Sequence, residues 1–164
     1  MMDAVAAPLP PFERFYLAHR DEILRYLRRL LGQRAEDAWQ ETFLRALRAY
    51  DRLEHGDHLR AWVFTIATRV ALDEHRADGR ARDRVAAVAA EAEVASELER
   101  PAFRELEHLT SDLPPTERAA VVLRYGYDLP YVQIADALGS SEDAARAAAS
   151  SGVRRLRRAH ERLA

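Results

Sequence analysis

Residues 129–139, Leu-Pro-Tyr-Val-Gln-Ile-Ala-Asp-Ala-Leu-Gly, constrain the fold of this chain more than any other stretch. Ile134 and Leu138 lie four apart and share one face of a helix. Ala135 is small enough for a second helix to cross closely, and Gly139 supplies the positive φ that a tight turn requires. The pattern is the first helix and turn of a helix-turn-helix, a unit that presents its next helix to a DNA groove. That next helix, from about Ser141 onward, is rich in alanine and keeps Arg146 as its one early basic residue. A DNA-presenting scaffold is therefore joined to a reading helix with few DNA-reading side chains.

The remaining apolar residues recur at helical spacing. Phe12, Phe15, Tyr16, Ile23, Leu24, Leu27, Leu30 and Leu31 form one stripe that stops at Gly32, a C-cap. A second helix is expected from about Ala35 to Tyr50, with Trp39, Phe43, Leu44 and Leu47 as its apolar positions. Asp51 to Asp57 reads as a loop. A third helix carries Leu59, Trp62, Val63, Ile66, Ala67 and Val70 to about Arg76, and Gly79 is expected to interrupt it. An acidic Ala-rich linker over 79–100 has little to bury. Pro101 opens a second helical unit over 101–164, with a short helix through Phe103, Leu106 and Leu109 and another from Thr116 to Tyr125. The expectation is an all-α chain: a disordered N-terminus over 1–11, a first small domain over 12–78, a tether, and a second domain containing the helix-turn-helix.

Composition narrows the function. All 25 basic residues are arginine, and the net charge is −2. That balance disfavours indiscriminate nucleic-acid binding, while the cluster Arg154, Arg155, Arg157, Arg158 and Arg162 can engage phosphates. No apolar run approaches membrane-spanning length, and the N-terminus lacks the basic segment of a secretory signal, so a cytoplasmic protein without membrane insertion is expected. With zero cysteines there is no disulfide frame, thiolate metal site or cysteine nucleophile. His55 and His58 share a loop with Asp57 but lack further ligands, so no metal is expected. There is no phosphate-cradling glycine loop and no nucleophile elbow. Neither a cofactor nor an enzyme is expected.

Two surfaces remain. Asp37, Gln40, Glu41 and Arg45 fall at three- and four-residue steps, a polar stripe that reads either as a solvated helix face or as a docking face for a basic partner helix. Trp62 and Phe64 interleave with Arg60, Arg69 and Arg76. Such a mixture stacks unpaired bases and holds a phosphate backbone, or else places Trp62 in the core.

Several segments, in this order and at this spacing, resemble an extracytoplasmic-function (ECF) sigma factor of bacterial RNA polymerase. They are Ala35-Glu36-Asp37-Ala38-Trp39-Gln40-Glu41-Thr42-Phe43-Leu44-Arg45-Ala46, Leu59 to Ala67 with Asp73 and Arg76, Leu113-Pro114-Pro115-Thr116-Glu117-Arg118, Leu123-Arg124-Tyr125, and Leu129 to Gly139. The resemblance covers most of residues 12–160. It implies a first domain of the sigma region-two type and a second of the region-four type. It implies docking on the β′ clamp helices of core polymerase through Asp37, Gln40, Glu41, Phe43 and Arg45. Melting of the minus-ten element would fall to the loop near Asp51 to Arg60 and to Arg60, Trp62, Arg69, Asp73 and Arg76. The minus-thirty-five element would be read through Ser141, Glu142, Arg146, Ser150 and Arg154, with the second domain touching the β flap. An anti-sigma factor is implied as a further partner, and a monomer is expected in the free state.

The chain departs from the family at several positions. Arg69 stands where Asn is usual and Thr68 where Arg is common. Ser140 replaces an apolar residue after the turn glycine, Ala148, Ser150 and Ser151 stand where basic residues are frequent, and Gly152 follows within the same helix. These departures imply a weak, altered or partner-dependent minus-thirty-five reading, which Arg at 148 and 151 should strengthen. Two alternatives stay open at this level: a degenerate sigma-like regulator that binds polymerase but initiates poorly, and a stand-alone helix-turn-helix repressor.

Overall fold

Helix α1, Phe12–Leu31, buries Phe15, Ile23, Tyr26, Leu27 and Leu30 along one face and ends where Gly32 takes a φ of 59° and returns its N–H to the Arg28 carbonyl. The computed structural model to which this helix belongs describes residues 5–82 and 109–164. A single 3-10 turn, Gly32–Arg34, leads into α2, Ala35–Tyr50. After a loop, α3 runs from Leu59 to Arg82. The three helices close on an aromatic cluster in which the Phe15 ring lies 5.2 Å from Tyr50, 5.7 Å from Trp62 and 6.2 Å from Phe43.

Two expectations for this half are corrected. Gly79 does not interrupt α3, which continues three residues past it. A helical glycine costs only about 1 kcal/mol, and Arg34 pairs with both Glu74 and Asp78 beside this last stretch. Nor is the whole N-terminal arm free: Ala7 donates its N–H to Asp57 Oδ1 at 3.1 Å and accepts the Gly56 N–H at 2.7 Å. Tyr50 then donates its hydroxyl to the Pro10 carbonyl at 2.5 Å. The expected linker beyond residue 82 and the short helix through Phe103 and Leu106 lie outside the described residues.

Among the described residues of the second half, three helices follow the helical pair Leu109 and Thr110. Helix α4, Pro115–Val121, places a proline at its first position, where the missing N–H has no helical partner to lose. It widens into one π turn, Val122–Gly126. Helix α5, Tyr131–Leu138, stops at Gly139 in the left-handed conformation, with φ 64°. Ser141 caps α6, Glu142–Leu163, by accepting the Ala144 N–H at 3.1 Å. The helix-turn-helix expected from residues 129–139 is therefore formed by α5 and α6. Ile134, Ala135, Ala137, Ala145 and Ala149 are buried at its crossing.

The fold is all-α, with no strand among the described residues. Its two helical units share one continuous core. Tyr127, on the turn between α4 and α5, inserts between them: its ring lies 5.6 Å from Tyr26 and 5.0 Å from Phe64. The Arg29 guanidinium sits 5.3 Å from the same ring. From the other side, Arg118 of α4 donates to the Leu30 carbonyl at the end of α1, at 3.2 Å.

Candidate nucleic-acid and polymerase interface

Helix α2 carries the first candidate surface. Its buried face is Ala35, Ala38, Thr42, Phe43, Ala46 and Tyr50, so Asp37 and Gln40 are left exposed and Glu41 half-buried. Arg45 is exposed and bonds Glu41 Oε1 at 2.7 Å, one helical turn away. Phe43 does not share this surface. It is 6% exposed and packs 5.1 Å from the Tyr16 ring and 5.6 Å from Trp39, which corrects its expected place among the docking residues. The apolar contribution comes from Leu44 and Leu47, 47% and 51% exposed. The sequence signal was present: these two lie four and seven residues after Gln40, on the polar stripe itself.

Helix α3 carries the second. Arg60 is gripped by Glu22, with Nη2 at 2.7 Å from Oε1, and the same Nη2 donates to the Tyr127 carbonyl at 3.0 Å. Trp62 is half-buried against Phe15 and Tyr50 and so belongs largely to the core. Arg69 is exposed and donates to the Asp136 carbonyl on α5 at 3.2 Å. One and two turns further on, Asp73 lies 3.7 Å from both Arg45 and Arg76. Thr68 is fully buried. Its hydroxyl donates to the Phe64 carbonyl at 2.7 Å and meets the Tyr26 hydroxyl at 2.7 Å. Arg45, Arg69, Asp73 and Arg76 line a groove of about 360 Å³ whose other wall is Ala137 to Gly139.

The third surface is the outer face of α6. Ser141, Glu142, Arg146, Ser150 and Arg154 are all exposed. Arg146 bonds Glu142 at 2.9 Å, and its guanidinium lies 4.5 Å from the Tyr131 ring. The Arg124 guanidinium lies 4.6 Å from that ring as well, an association of two cations with one aromatic residue that sequence spacing does not reveal. Ala148 and Ser151, in contrast, face the protein. Ala148 packs against the core and Ser151 donates to Glu117 Oε1 at 2.8 Å. Gly152 is fully covered, and a Cβ there would stand 2.6 Å from Val121 Cγ2. Gly152 packs α6 onto α4 at a point with no room for a side chain.

No group of three or more His, Cys, Asp or Glu residues suited to a metal exists among the described residues. None of the described helices is long and apolar enough to cross a membrane.

Known proteins are similar to both helical units. A model of sigma-70 region 2 matches residues 15–81, and one of sigma-70 region 4 matches residues 103–161. The chain is 33% identical over 152 residues to the RNA polymerase sigma factor CarQ of Myxococcus xanthus, covering 89% of this chain and 87% of CarQ. It is 32% identical over 161 residues to the ECF sigma factor SigE of Mycolicibacterium smegmatis, covering 92% of this chain and 62% of SigE. It is 31% identical over 167 residues to the ECF sigma factor BldN of Streptomyces coelicolor, covering 94% of this chain and 62% of BldN. The chain thus spans about three fifths of the length of these last two relatives. Among solved structures, the fold is similar to the sigma factor RpoE of Bartonella quintana in its complex with the anti-sigma factor NepR. The TM-score is 0.76 at 21% identity, covering 90% of this chain and 94% of RpoE. It is also similar to the sigma factor SigJ of Mycobacterium tuberculosis, with a TM-score of 0.61 at 27% identity over 88% of this chain and 52% of SigJ. With a region-two and a region-four unit in one chain, in the family's order, this protein belongs to the extracytoplasmic-function sigma factors of RNA polymerase.

Proposed function

We propose that this protein binds core RNA polymerase through α2 and directs it to promoter DNA, which it helps to melt. The observation that carries this reading is the outer face of α2, where Asp37, Gln40, Glu41 and Arg45 stand beside the exposed Leu44 and Leu47. An exposed apolar pair rimmed by fixed charges is the composition of a protein interface more than of a solvated helix. The β′ clamp helices are the partner that the family resemblance supplies, with the β flap as the partner of the second unit and an anti-sigma factor as a regulator. Arg69, Asp73 and Arg76 on α3 are the residues for the melted minus-ten strand. Arg60 supports them, and Trp62 contributes through the core that holds them. Ser141, Glu142, Arg146, Ser150 and Arg154 face the minus-thirty-five element, with the amino end of α6 toward the phosphates. The protein has no chemistry of its own in this reading and acts in the cytoplasm as a monomer until it meets polymerase.

The test is transcription of fragmented genomic DNA by core polymerase plus this protein, with mapped RNA 5′ ends and a core-binding control. Sharp starts that share an upstream motif are the expected result, and Asp37→Ala with Gln40→Ala should abolish core binding. Core binding without defined starts would replace this reading with a degenerate regulator. No core binding, with tight duplex binding by the protein alone, would point to a repressor.

A further inference from the structure

The loop between α2 and α3 is held from outside, by the arm that precedes α1. Arg52 and Leu53 return their N–H groups to the carbonyls of Ala49 and Tyr50 at the end of α2, at 3.2 and 3.1 Å. Further along, the partners belong to the arm. Gly56 donates its N–H to the Ala7 carbonyl at 2.7 Å, and the Ala7 N–H goes to Asp57 Oδ1 at 3.1 Å. Position 56 needs glycine for space, since a Cβ there would stand 2.6 Å from the Pro8 carbonyl oxygen. The last loop residue, His58, has a φ of 60°, and its carbonyl accepts the Trp62 N–H at 2.9 Å to open the first turn of α3. From these contacts, and resting on the reading of α3 as the melted-strand surface, we infer that residues 7–10 are a positioning element for minus-ten recognition. They touch no DNA and act by fixing the loop at the amino end of α3.

The arm is built to hold one shape. Pro8, Pro10 and Pro11 each fix a φ angle, and Ala7 and Leu9 precede prolines, which keeps them extended. Little backbone freedom is left to lose when the arm lies against the loop. Its far end is anchored as well, where Tyr50 donates its hydroxyl to the Pro10 carbonyl and Leu9 packs against the core. The loop is the opposite kind of segment, exposed at Arg52, Glu54, His55, Asp57 and His58. Exposed side chains at the end of a strand-binding helix select a ligand well only when the backbone beneath them is already in place. His58 shows that it is in place. A left-handed residue other than glycine persists where its surroundings over-determine it, and the arm bonds to the two residues just before it. The arm therefore acts through the loop on the start of α3, where Arg60 and Trp62 lie.

The test compares two readouts on the full chain: affinity for core polymerase, and opening of a mapped promoter by the assembled holoenzyme, followed by permanganate reactivity of the melted strand. Ala7→Pro removes the N–H given to Asp57 and keeps the carbonyl that Gly56 uses, whereas Ala7→Ser keeps both. Ala7→Pro should reduce opening by about fivefold or more while core affinity stays at the parent's, and Ala7→Ser should match the parent in both. Gly56→Ala tests the same contact sterically and should also impair opening alone. If it fails to fold, Ala7→Pro on the exposed arm carries the test by itself. Asp57→Ala should cost as much as Ala7→Pro and add nothing to it, because the two delete one bond. Opening unchanged by Ala7→Pro overturns the proposal. So does an equal loss of core affinity, which marks a general structural role, and so does additivity with Asp57→Ala, which marks a carboxylate acting on its own. If the parent neither binds core nor opens a promoter, the sigma reading fails and the positioning role with it. If the parent opens promoters and Ala7→Pro does so equally, only the positioning role fails.

Discussion

The Ser151 hydroxyl donates to Glu117 Oε1 at 2.8 Å, tying the middle of α6 to the first turn of α4. Arg155, one turn later, brings its Nε to 2.9 Å from the other oxygen of the same carboxylate. Position 151 is therefore part of the scaffold of the second unit and not of its DNA face. Ser151→Arg removes a half-buried hydrogen bond to a charged group and places a second guanidinium beside the existing Arg155–Glu117 ion pair. We expect it to destabilise the protein by about 1–3 kcal/mol and to leave duplex binding no tighter, which corrects the gain anticipated for Arg at this position. Thermal unfolding followed by circular dichroism, together with fluorescence anisotropy on a promoter duplex, reads both quantities.

Ser150 is the neighbouring outward position, exposed and between Arg146 and Arg154 on the same face of α6. An arginine there has no protein partner to displace. Ser150→Arg is expected to tighten duplex binding and to steepen its salt dependence by about 0.9 in the log–log slope, the signature of one added phosphate contact. A titration series in increasing salt gives that slope. An unaltered slope would remove Ser150 from the DNA face.

Gly152→Ala separates two opposed effects. Helix propensity favours alanine by about 1 kcal/mol, but the new Cβ would fall 2.6 Å from Val121 Cγ2 and 3.4 Å from the Glu117 carbonyl oxygen. Overpacking of this kind costs about 1–3 kcal/mol, so the net change should be destabilising. An increase in the unfolding temperature would show that α6 can move away from α4 without loss.

His75 makes the interface between α1 and α4 sensitive to acid. Its Nε2 lies 3.0 Å from the Leu30 carbonyl, which also accepts from Arg118. Burial, then the nearby Arg118 charge, holds the imidazole below its ordinary 6.5, with Arg34 adding to the effect while the Leu30 bond and Asp78 oppose it. The folded protein thus takes up a proton less readily than the unfolded chain. Stability from this site is complete above about pH 6.5 and declines as pH falls below it toward the lowered value. His19, shifted downward chiefly by burial, acts in the same direction. Unfolding temperatures between pH 7.5 and 5 should fall for the parent protein and fall less for His75→Gln. Parallel slopes would show that His75 is not a source of the loss.

Much of this was legible in the chain. Apolar spacing gave α1 its face and Gly32 its end, and Ile134, Ala135, Leu138 and Gly139 gave the helix-turn-helix, because periodicity and a required positive φ are local properties. What stayed hidden is non-local or involves backbone acceptors. Nothing in the spacing of Arg60 or Arg69 says that their partners are the carbonyls of Tyr127 and Asp136, since a carbonyl carries no residue identity. The role of Gly152 is set by Val121 and Glu117 on another helix, and Phe43, assigned to docking through the resemblance, is turned inward by its own angle on α2. Gly79 looked like a boundary because the weakening it causes is local and the support from Arg34 is not.

The arm ahead of α1 is a structural part of the first unit. Its backbone at Ala7 pairs with Gly56, and any side chain at residue 56 would meet the Pro8 carbonyl oxygen at 2.6 Å. The loop that leads into α3 is thus moulded against Ala7 and Pro8. Loss of the arm through Pro8 would free that loop from its backbone partner without removing any helix, so the shape of the turn into α3 is set by residues some 50 positions earlier in the chain.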